Sequence, residues 1–163
     1  MSEAQPSAPS SSRQGPQGIG GYLIVPMLGL IFMPVIGLTV FNHHIGLSEY
    51  FSLLSGGQKA FVVAEIFGYL ALAVVCPIGL LVLLFGKKQA FPRLYIAWAA
   101  LGPVFLLVDL AAAKILLGDI FEAQGVGLFD GGTAKSIKSS IVYSVIWILY
   151  MKKSRRVQNT FIQ

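Results

Sequence analysis

The chain has little charge and almost no cysteine. Asp, Glu, Lys and Arg make up 12% of its 163 residues, whereas ordinary soluble domains carry about 25%. Its one cysteine, Cys76, cannot form a disulfide within the chain and gives no information on the redox compartment. The sequence also lacks a P-loop, a nucleophile elbow, a cluster of zinc ligands and a haem-attachment motif. These absences leave no catalytic residue, cofactor or metal ligand to predict, and we expect a protein that is not an enzyme.

Two further patterns fall short of a binding motif. The run Gly18–Gly21 precedes an apolar segment, but no strand comes before it and no acidic residue follows at the spacing of a dinucleotide site. His43 and His44 are adjacent, whereas two metal ligands on one helix face are four residues apart. We therefore expect the histidines to be an ordinary pair at the membrane interface.

Apolar residues dominate what is present. Hydrophobic residues make up 55% of the chain and the mean hydropathy is +0.74. A soluble protein of this size could not bury so much apolar surface, because small folds leave much of the chain exposed. The net charge of +5 comes from cations beside the apolar runs, so we interpret them as membrane-topology signals and expect no nucleic-acid site.

Four long apolar segments follow one another along the chain. They predict an all-α fold, an integral membrane bundle of four transmembrane helices within a transmembrane domain of residues 21–151. The predicted helices cover residues 22–42, 61–85, 91–117 and 134–151. Residues 1–20, rich in Ser, Pro, Gln and Gly, are predicted to be a disordered cytoplasmic tail rather than a cleavable signal peptide. Residues 152–163 are predicted to be a basic cytoplasmic tail.

Prolines and lysines in two of these segments are unfavourable in a bilayer unless their polar groups are satisfied. Pro26 and Pro34 interrupt the hydrogen-bond ladder of the first segment, which membrane helices tolerate when neighbours or waters satisfy the freed carbonyls. Lys135 and Lys138 shorten the apolar part of the fourth segment. Lysines near a helix end can extend to the interface, so we expect this segment to span as well.

The cations sort by side of the predicted bundle, eight against three. The positive-inside rule places the larger group, and hence both chain ends, in the cytoplasm of a bacterial inner membrane. The larger group is Arg13, Lys87, Lys88, Arg93, Lys152, Lys153, Arg155 and Arg156, and the smaller is Lys59, Lys135 and Lys138.

Ionisable residues inside the predicted membrane segments are the sharpest functional signal, because a charge at the bilayer centre costs at least about 2.5–3.5 kcal/mol. Counted from the predicted helix ends, Glu65 and Lys114 lie at matching depth, which predicts an ion pair between them. Asp109 lies deeper, near the midplane. Either it is hydrogen-bonded and holds the bundle together, or it is a proton, ion or substrate site. The polar residues at similar depth on neighbouring helices are Tyr69, Tyr143 and Ser144.

Small residues recur at helical spacing in three of the segments. Gly29 and Gly37 lie two turns apart, and Ala64 and Gly68 are four residues apart. Small residues let membrane helices approach closely, so these positions favour a compact bundle.

Both ends of the chain resemble a known family. The motif Ile146–Met151, followed by Lys152–Phe161, is similar to the C-terminal signature of the bacterial inner-membrane family called domain of unknown function 2569, and Gly20–Pro26 is similar to its start. Leu149 stands where the family pattern has proline. The resemblance implies a four-helix membrane protein without an established activity, and it supplies no catalytic residues.

The basic tail has its own physical interpretation. Lys152, Lys153, Arg155 and Arg156 can bind anionic lipid headgroups at about 1 kcal/mol each, and Phe161 can enter the interface. The tail then acts either as a topology anchor or as a docking segment for lipid or a partner.

Two functions remain open at this point. The first is a non-enzymatic accessory or interaction subunit of a membrane complex, with another membrane protein or a second copy of the chain as partner. The alternative is a small oligomeric transporter or ion-conducting protein that uses Asp109 and Glu65.

Overall fold

The computed structural model describes residues 18–45, 51–52, 54–123, 125 and 131–161. A 3₁₀ turn, Gly21–Leu23, leads into α1, and a π-helical turn, Ala71–Val75, separates α2 from α3. The helices are α1 (Ile24–Ile45), α2 (Gly56–Leu70), α3 (Cys76–Phe85), α4 (Ala90–Ala123), α5 (Gly131–Lys153) and α6 (Arg155–Thr160). The described residues form no strand, and the prediction of an all-α fold is confirmed.

Among the described residues, three stretches are long and apolar enough to cross a membrane. They are Gly21–Thr39, the continuous rod Gly56–Phe85 formed by α2, the π turn and α3, and Ala90–Ala123, with mean hydropathies of 2.1, 2.5 and 2.0. α5 is not among them, since its first half carries Lys135 and Lys138 among small polar residues. The number of four membrane-crossing helices therefore stays a prediction.

Two helices begin or end well outside their predicted limits. α2 begins at Gly56 rather than residue 61, because Ser55 and Gln58 form a reciprocal capping box that satisfies two N–H donors of the first turn. α4 continues to Ala123, six residues beyond the predicted end at Leu117. The sequence after Leu117 is polar, but it contains no proline to stop the helix.

The helices form an antiparallel bundle in which α4 packs along α5, and α1 packs along the π turn and α3. Gly37 allows the closest approach of α1, because a Cβ at this position would lie 2.9 Å from the Cβ of Ala73. The buried core fills one end of the bundle, the end that contains the turn between α3 and α4. Its members are Leu23, Leu30, Leu80, Leu84, Phe91, Tyr95, Ala99, Met151, Val157 and Phe161.

The C-terminal segment folds back onto this end. Ser154 caps α6, accepting a hydrogen bond from the N–H of Val157. The hydroxyl of Thr160 accepts a 2.9 Å hydrogen bond from the N–H of Gly18, and the rings of Phe161 and Phe91 lie 4.8 Å apart. Both described ends of the chain therefore lie at the same end of the bundle.

The predicted disordered tail falls almost wholly outside the described residues, which begin at residue 18. The side chains of His43 and His44 and the acidic residue Asp130 also lie outside them.

Large apolar side chains cover the outside of the bundle. Phe67 and Val82 are each 68% exposed and Ile115 is 81% exposed. α4 contains an apolar stretch of 18 residues, and none of the residues in this stretch is buried within the protein. An apolar exterior around a small core is the reverse of the arrangement in a soluble domain.

Candidate functional site

A cavity of about 270 Å³ lies between α2, α4 and α5, beyond the buried core. Met33 of α1 contributes to its wall. The remaining lining residues are Glu65, Ile66, Tyr69, Leu72, Ala73, Trp98, Ala99, Gly102, Pro103, Phe105, Leu106, Asp109, Ser140, Tyr143 and Ser144.

The cavity brings together five of the six intramembrane polar residues predicted from the sequence. Glu65 and Tyr69 come from α2, Asp109 from α4, and Tyr143 and Ser144 from α5. The sixth, Lys114, is exposed and lies outside the cavity wall.

The two carboxyl groups lie opposite each other because of the register between α2 and α4. The side-chain amide of Gln58 donates a 2.9 Å hydrogen bond to the carbonyl of Leu116. Glu65 follows Gln58 by seven residues, and Asp109 precedes Leu116 by seven. Equal steps along antiparallel helices bring them to one level, and the two carboxyl groups interact electrostatically.

The same register corrects the depth assigned to Lys114. Lys114 is level with residue 60 of α2, five residues and about 7.5 Å along the axis from Glu65. Equal depth does not hold in this register, because depths were counted as if the ends of α2 and α4 were level, whereas Gly56 at the start of α2 is level with residue 118 and α4 runs on to Ala123. The Glu65–Lys114 ion pair stays a prediction, and the residue level with Glu65 is Asp109.

Pro103 creates one of the polar contacts in the cavity wall. Proline has no N–H, so Pro103 leaves the carbonyl of Ala99, four residues earlier, without its helical donor. The hydroxyl of Ser144 donates a 2.7 Å hydrogen bond to this carbonyl. An interruption in α4 is thereby compensated by α5, as membrane helices require.

Pro77 has a matching effect at the other wall. In the π turn the N–H of Cys76 reaches back to the carbonyl of Ala71, and the next donor in this pattern would be Pro77, which has none. The carbonyl of Leu72 is thereby freed, and the indole N–H of Trp98 donates a 2.8 Å hydrogen bond to it. π turns of this kind occur often at functional sites.

Glycines set the shape of the cavity wall. A Cβ at Gly68 would lie 2.6 Å from the ring of Phe105, so the ring edge rests directly on α2. A Cβ at Gly29 would lie 3.0 Å from the hydroxyl of Tyr143, which reaches across to α1. A Cβ at Gly102 would meet no atom within 4 Å, so Gly102 opens onto the cavity.

Tyr95 lies beneath the cavity with a fully buried side chain. Its hydroxyl lies beside the side chain of Tyr143, which lines the cavity.

Most of the other wall residues were not predicted from the sequence, including Met33, Trp98, Gly102 and Phe105. They are apolar or aromatic residues in apolar segments, where nothing distinguishes a cavity wall from a lipid-facing surface. The prolines were the available signal, because each freed carbonyl needs a donor from another helix.

The basic residues of the C-terminal tail divide between two environments. Lys152, Lys153 and Arg155 are exposed. Arg156 is half-buried, and its guanidinium would lie 3.0 Å from a Cβ at Gly20. Phe161, which we predicted to enter the membrane interface, lies instead in the core.

The cavity combines two carboxyl groups with an aromatic wall, and this limits its chemistry. In the described part of the chain no three His, Cys, Asp or Glu residues lie together as metal ligands. The polar groups that line the cavity include the carboxyls of Glu65 and Asp109 and the hydroxyls of Tyr69, Tyr143 and Ser140. Such a wall can hold a small ligand.

The fold and the cavity define an all-α protein with three helices of membrane-spanning length and composition. The chain belongs to the family described as "Protein of unknown function (DUF2569)", whose model matches residues 16–162. The family expected from the two end motifs is thereby confirmed. No curated protein and no solved structure matches the chain.

Proposed function

We propose that the chain is a multi-pass protein of the bacterial inner membrane that takes up a small solute in the cavity and passes it across the bilayer, as a small transporter or ion-conducting protein does. One observation supports this function: six polar residues from three helices, including Glu65 and Asp109, line one cavity. Ionisable residues in membrane segments usually face a cavity on a substrate or ion pathway. Helices interrupted near the binding site are a second property of transporters.

The packing of α5 supports a fourth membrane crossing. Ser144 of α5 donates a hydrogen bond to the carbonyl of Ala99 in α4. Thr160, the last residue of α6, is hydrogen-bonded to Gly18, the first described residue. α5 therefore runs along α4 to the end of the bundle where the chain begins. Its 23 residues span about 35 Å, enough for a hydrocarbon layer of about 30 Å.

The distribution of exposed cations supports an orientation with this end in the cytoplasm. Six cations are exposed there, and the positive-inside rule assigns such an end to the cytoplasm. They are Lys87, Lys88, Arg93, Lys152, Lys153 and Arg155. Glu65 precedes Phe85 by twenty residues, so with Phe85 at the inner boundary both carboxyl groups lie about 30 Å further out. We therefore propose that they lie near the outer boundary rather than the midplane.

A non-enzymatic accessory role in a membrane complex is the second candidate. The exposed basic end favours it, because such a surface can dock anionic headgroups or an acidic partner. An accessory subunit has no need of a cavity that admits water, and this difference separates the two functions.

Thiol accessibility tests the proposed function. Cys76 is the only cysteine, so the Cys76→Ala chain provides a background for the single variants Gly102→Cys and Gly79→Cys. A Cβ at either position would meet no atom within 4 Å, but Gly102 lines the cavity and Gly79 faces outward. A membrane-impermeant methanethiosulfonate is applied to right-side-out and to inverted membrane vesicles.

We expect the reagent to modify the Gly102→Cys variant from the outer face and to leave the Gly79→Cys variant unmodified in both vesicle types. Lack of reaction at position 102 from either side would contradict a solute cavity. Such a result would favour the accessory role.

A further inference from the structure

We infer that the solute is a small organic cation with an apolar body, held with its charged group between Glu65 and Asp109. The inference rests on the proposed function and specifies the ligand of the same cavity. It is carried by the charge, the surface chemistry and the size of the cavity wall.

The charge of the wall has one sign. Glu65 and Asp109 face each other at the same level of α2 and α4. No Lys, Arg or His stands among the described residues that line the cavity. A cation between the carboxyl groups reduces their mutual repulsion, whereas an anion adds to it.

The rest of the wall is matched to an apolar or aromatic body. Four aromatic side chains line the cavity, and aromatic faces attract organic cations, most strongly when water is excluded. They are Tyr69, Trp98, Phe105 and Tyr143. The indole N–H of Trp98 and the hydroxyl of Ser144 already donate to carbonyls of the helices. These two groups therefore stabilise the wall.

A bare metal ion is a poorer match for the same wall. Ca²⁺ takes six to eight oxygen ligands, and Mg²⁺ requires a near-octahedral set. Glu65 and Asp109 are the only acidic residues among the described residues of the wall. The aromatic rings that surround them cannot replace the missing oxygens.

The volume limits the size of the ligand. The cavity of about 270 Å³ lies just below the usual range of ligand pockets, about 300–1,000 Å³. A single substituted aromatic ring with an ammonium group is of this size.

Three probes of nearly the same shape test the charge preference. Phenyltrimethylammonium carries the positive charge, tert-butylbenzene is its neutral isostere, and 4-tert-butylbenzoate is an anion. Each probe is added to the Gly102→Cys variant in the Cys76→Ala background before a neutral methanethiosulfonate, and the rate of modification is measured. The unchanged chain is measured in parallel by thermal unfolding in detergent with each probe, so binding is also observed without the cysteine substitution.

We expect phenyltrimethylammonium to protect the cysteine at position 102 from modification, and we expect the other two probes to give no protection. At ten times its Kd it slows modification about tenfold and raises the unfolding temperature of the unchanged chain. Replacement of one carboxyl, by Asp109→Asn or by Glu65→Gln, weakens its binding roughly tenfold, because the quaternary ammonium loses one of the two negative charges that attract it. Asp119→Asn and Glu122→Gln are matched controls on the exposed end of α4, and they leave the binding unchanged.

Each other outcome overturns the inference in a recognisable way. Equal protection by tert-butylbenzene assigns the cavity to apolar solutes, and protection by 4-tert-butylbenzoate reverses the charge preference. If the reagent modifies the cysteine and no probe slows the reaction, the cavity is accessible to water but does not bind an organic cation. The proposed function then stands and the inference about its ligand fails. No modification at all removes the proposed function together with the inference.

Discussion

Two carbonyl oxygens beside the cavity lose their helical donors to proline, and each accepts a hydrogen bond from a side chain of another helix. Ser144 donates to the carbonyl freed by Pro103, and Trp98 donates to the one freed in the π turn before Pro77. In hydrocarbon no water is present to satisfy such groups. The prolines therefore explain which side chains the wall needs and where.

The hydrogen bond from Ser144 to the carbonyl that Pro103 leaves without a donor gives a double-mutant prediction. We expect Ser144→Ala to lower the free energy of unfolding by about 1 kcal/mol, typical of an interhelical hydrogen bond in a membrane protein. In a Pro103→Ala background the loss should be less than half as large, because residue 103 then supplies its own N–H to the Ala99 carbonyl. Unfolding in mixed detergent micelles measures all four chains.

Ser139→Ala is the matched control for this cycle. Ser139 is exposed and donates to the carbonyl of Ser136 within its own helix, so its loss should change stability by less than about 0.5 kcal/mol. Equal losses from Ser144→Ala in both backgrounds would contradict the compensation between Pro103 and Ser144.

Single residues also show how far the sequence leads. Polar residues inside apolar segments are visible in a sequence, so Glu65, Asp109 and Ser144 could be selected as candidates. Trp98 could not, because its role depends on a π turn that no residue pattern announces. The position of Phe161 could not be predicted either, because an apolar side chain suits both the lipid interface and a protein core. Its packing against Phe91 places it in the core.

The contact between α2 and α4 determines the geometry of the cavity at the level of helices. Gln58 joins the start of α2 to Leu116 in α4, and Gly68 accepts the edge of the Phe105 ring one level beyond the carboxyl pair. Between these two contacts Glu65 and Asp109 face each other. The approach of α2 to α4 at Gly68 therefore sets the width of the cavity.

Gly68→Ala should separate α2 from α4. Its Cβ would lie 2.6 Å from an atom of the Phe105 ring, and overpacking of this kind costs about 1–3 kcal/mol. Gly79→Ala is the matched control, since its Cβ meets no atom within 4 Å and alanine favours a helix by up to about 1 kcal/mol. Unfolding in mixed micelles should show a loss for the first variant and none for the second. Equal stability of the two variants would contradict the packing of Phe105 on Gly68.

Helix positions were easier to predict than helix ends. Each main helix contains most of its predicted apolar segment, because lipid-length apolar runs are long and regular. The end of α4 was missed, since Asp119 and Glu122 are polar but compatible with a helix. Levels were then counted as if the ends of α2 and α4 were level, which paired Glu65 with Lys114, whereas the register from Gln58 to Leu116 pairs Glu65 with Asp109.

The two ends of the whole molecule differ in packing. One end is closed by the core, by α6 and by the contact between Thr160 and Gly18. The half beyond it contains the cavity. An asymmetric bundle of this kind is compatible with the solute site proposed near the outer boundary. The cavity can serve as such a solute site only if α5 crosses the membrane with the other helices, because α5 forms one wall of the cavity.

The side of the membrane reached after α5 therefore tests the account most directly. A reporter that is active only in the cytoplasm is fused after Gln163 or inserted at Gly125 in otherwise identical chains. Four crossings predict activity from the fusion after Gln163 and none from the insertion at Gly125. The same response from both positions would mean that α5 does not cross, and the cavity would then have a wall outside the bilayer.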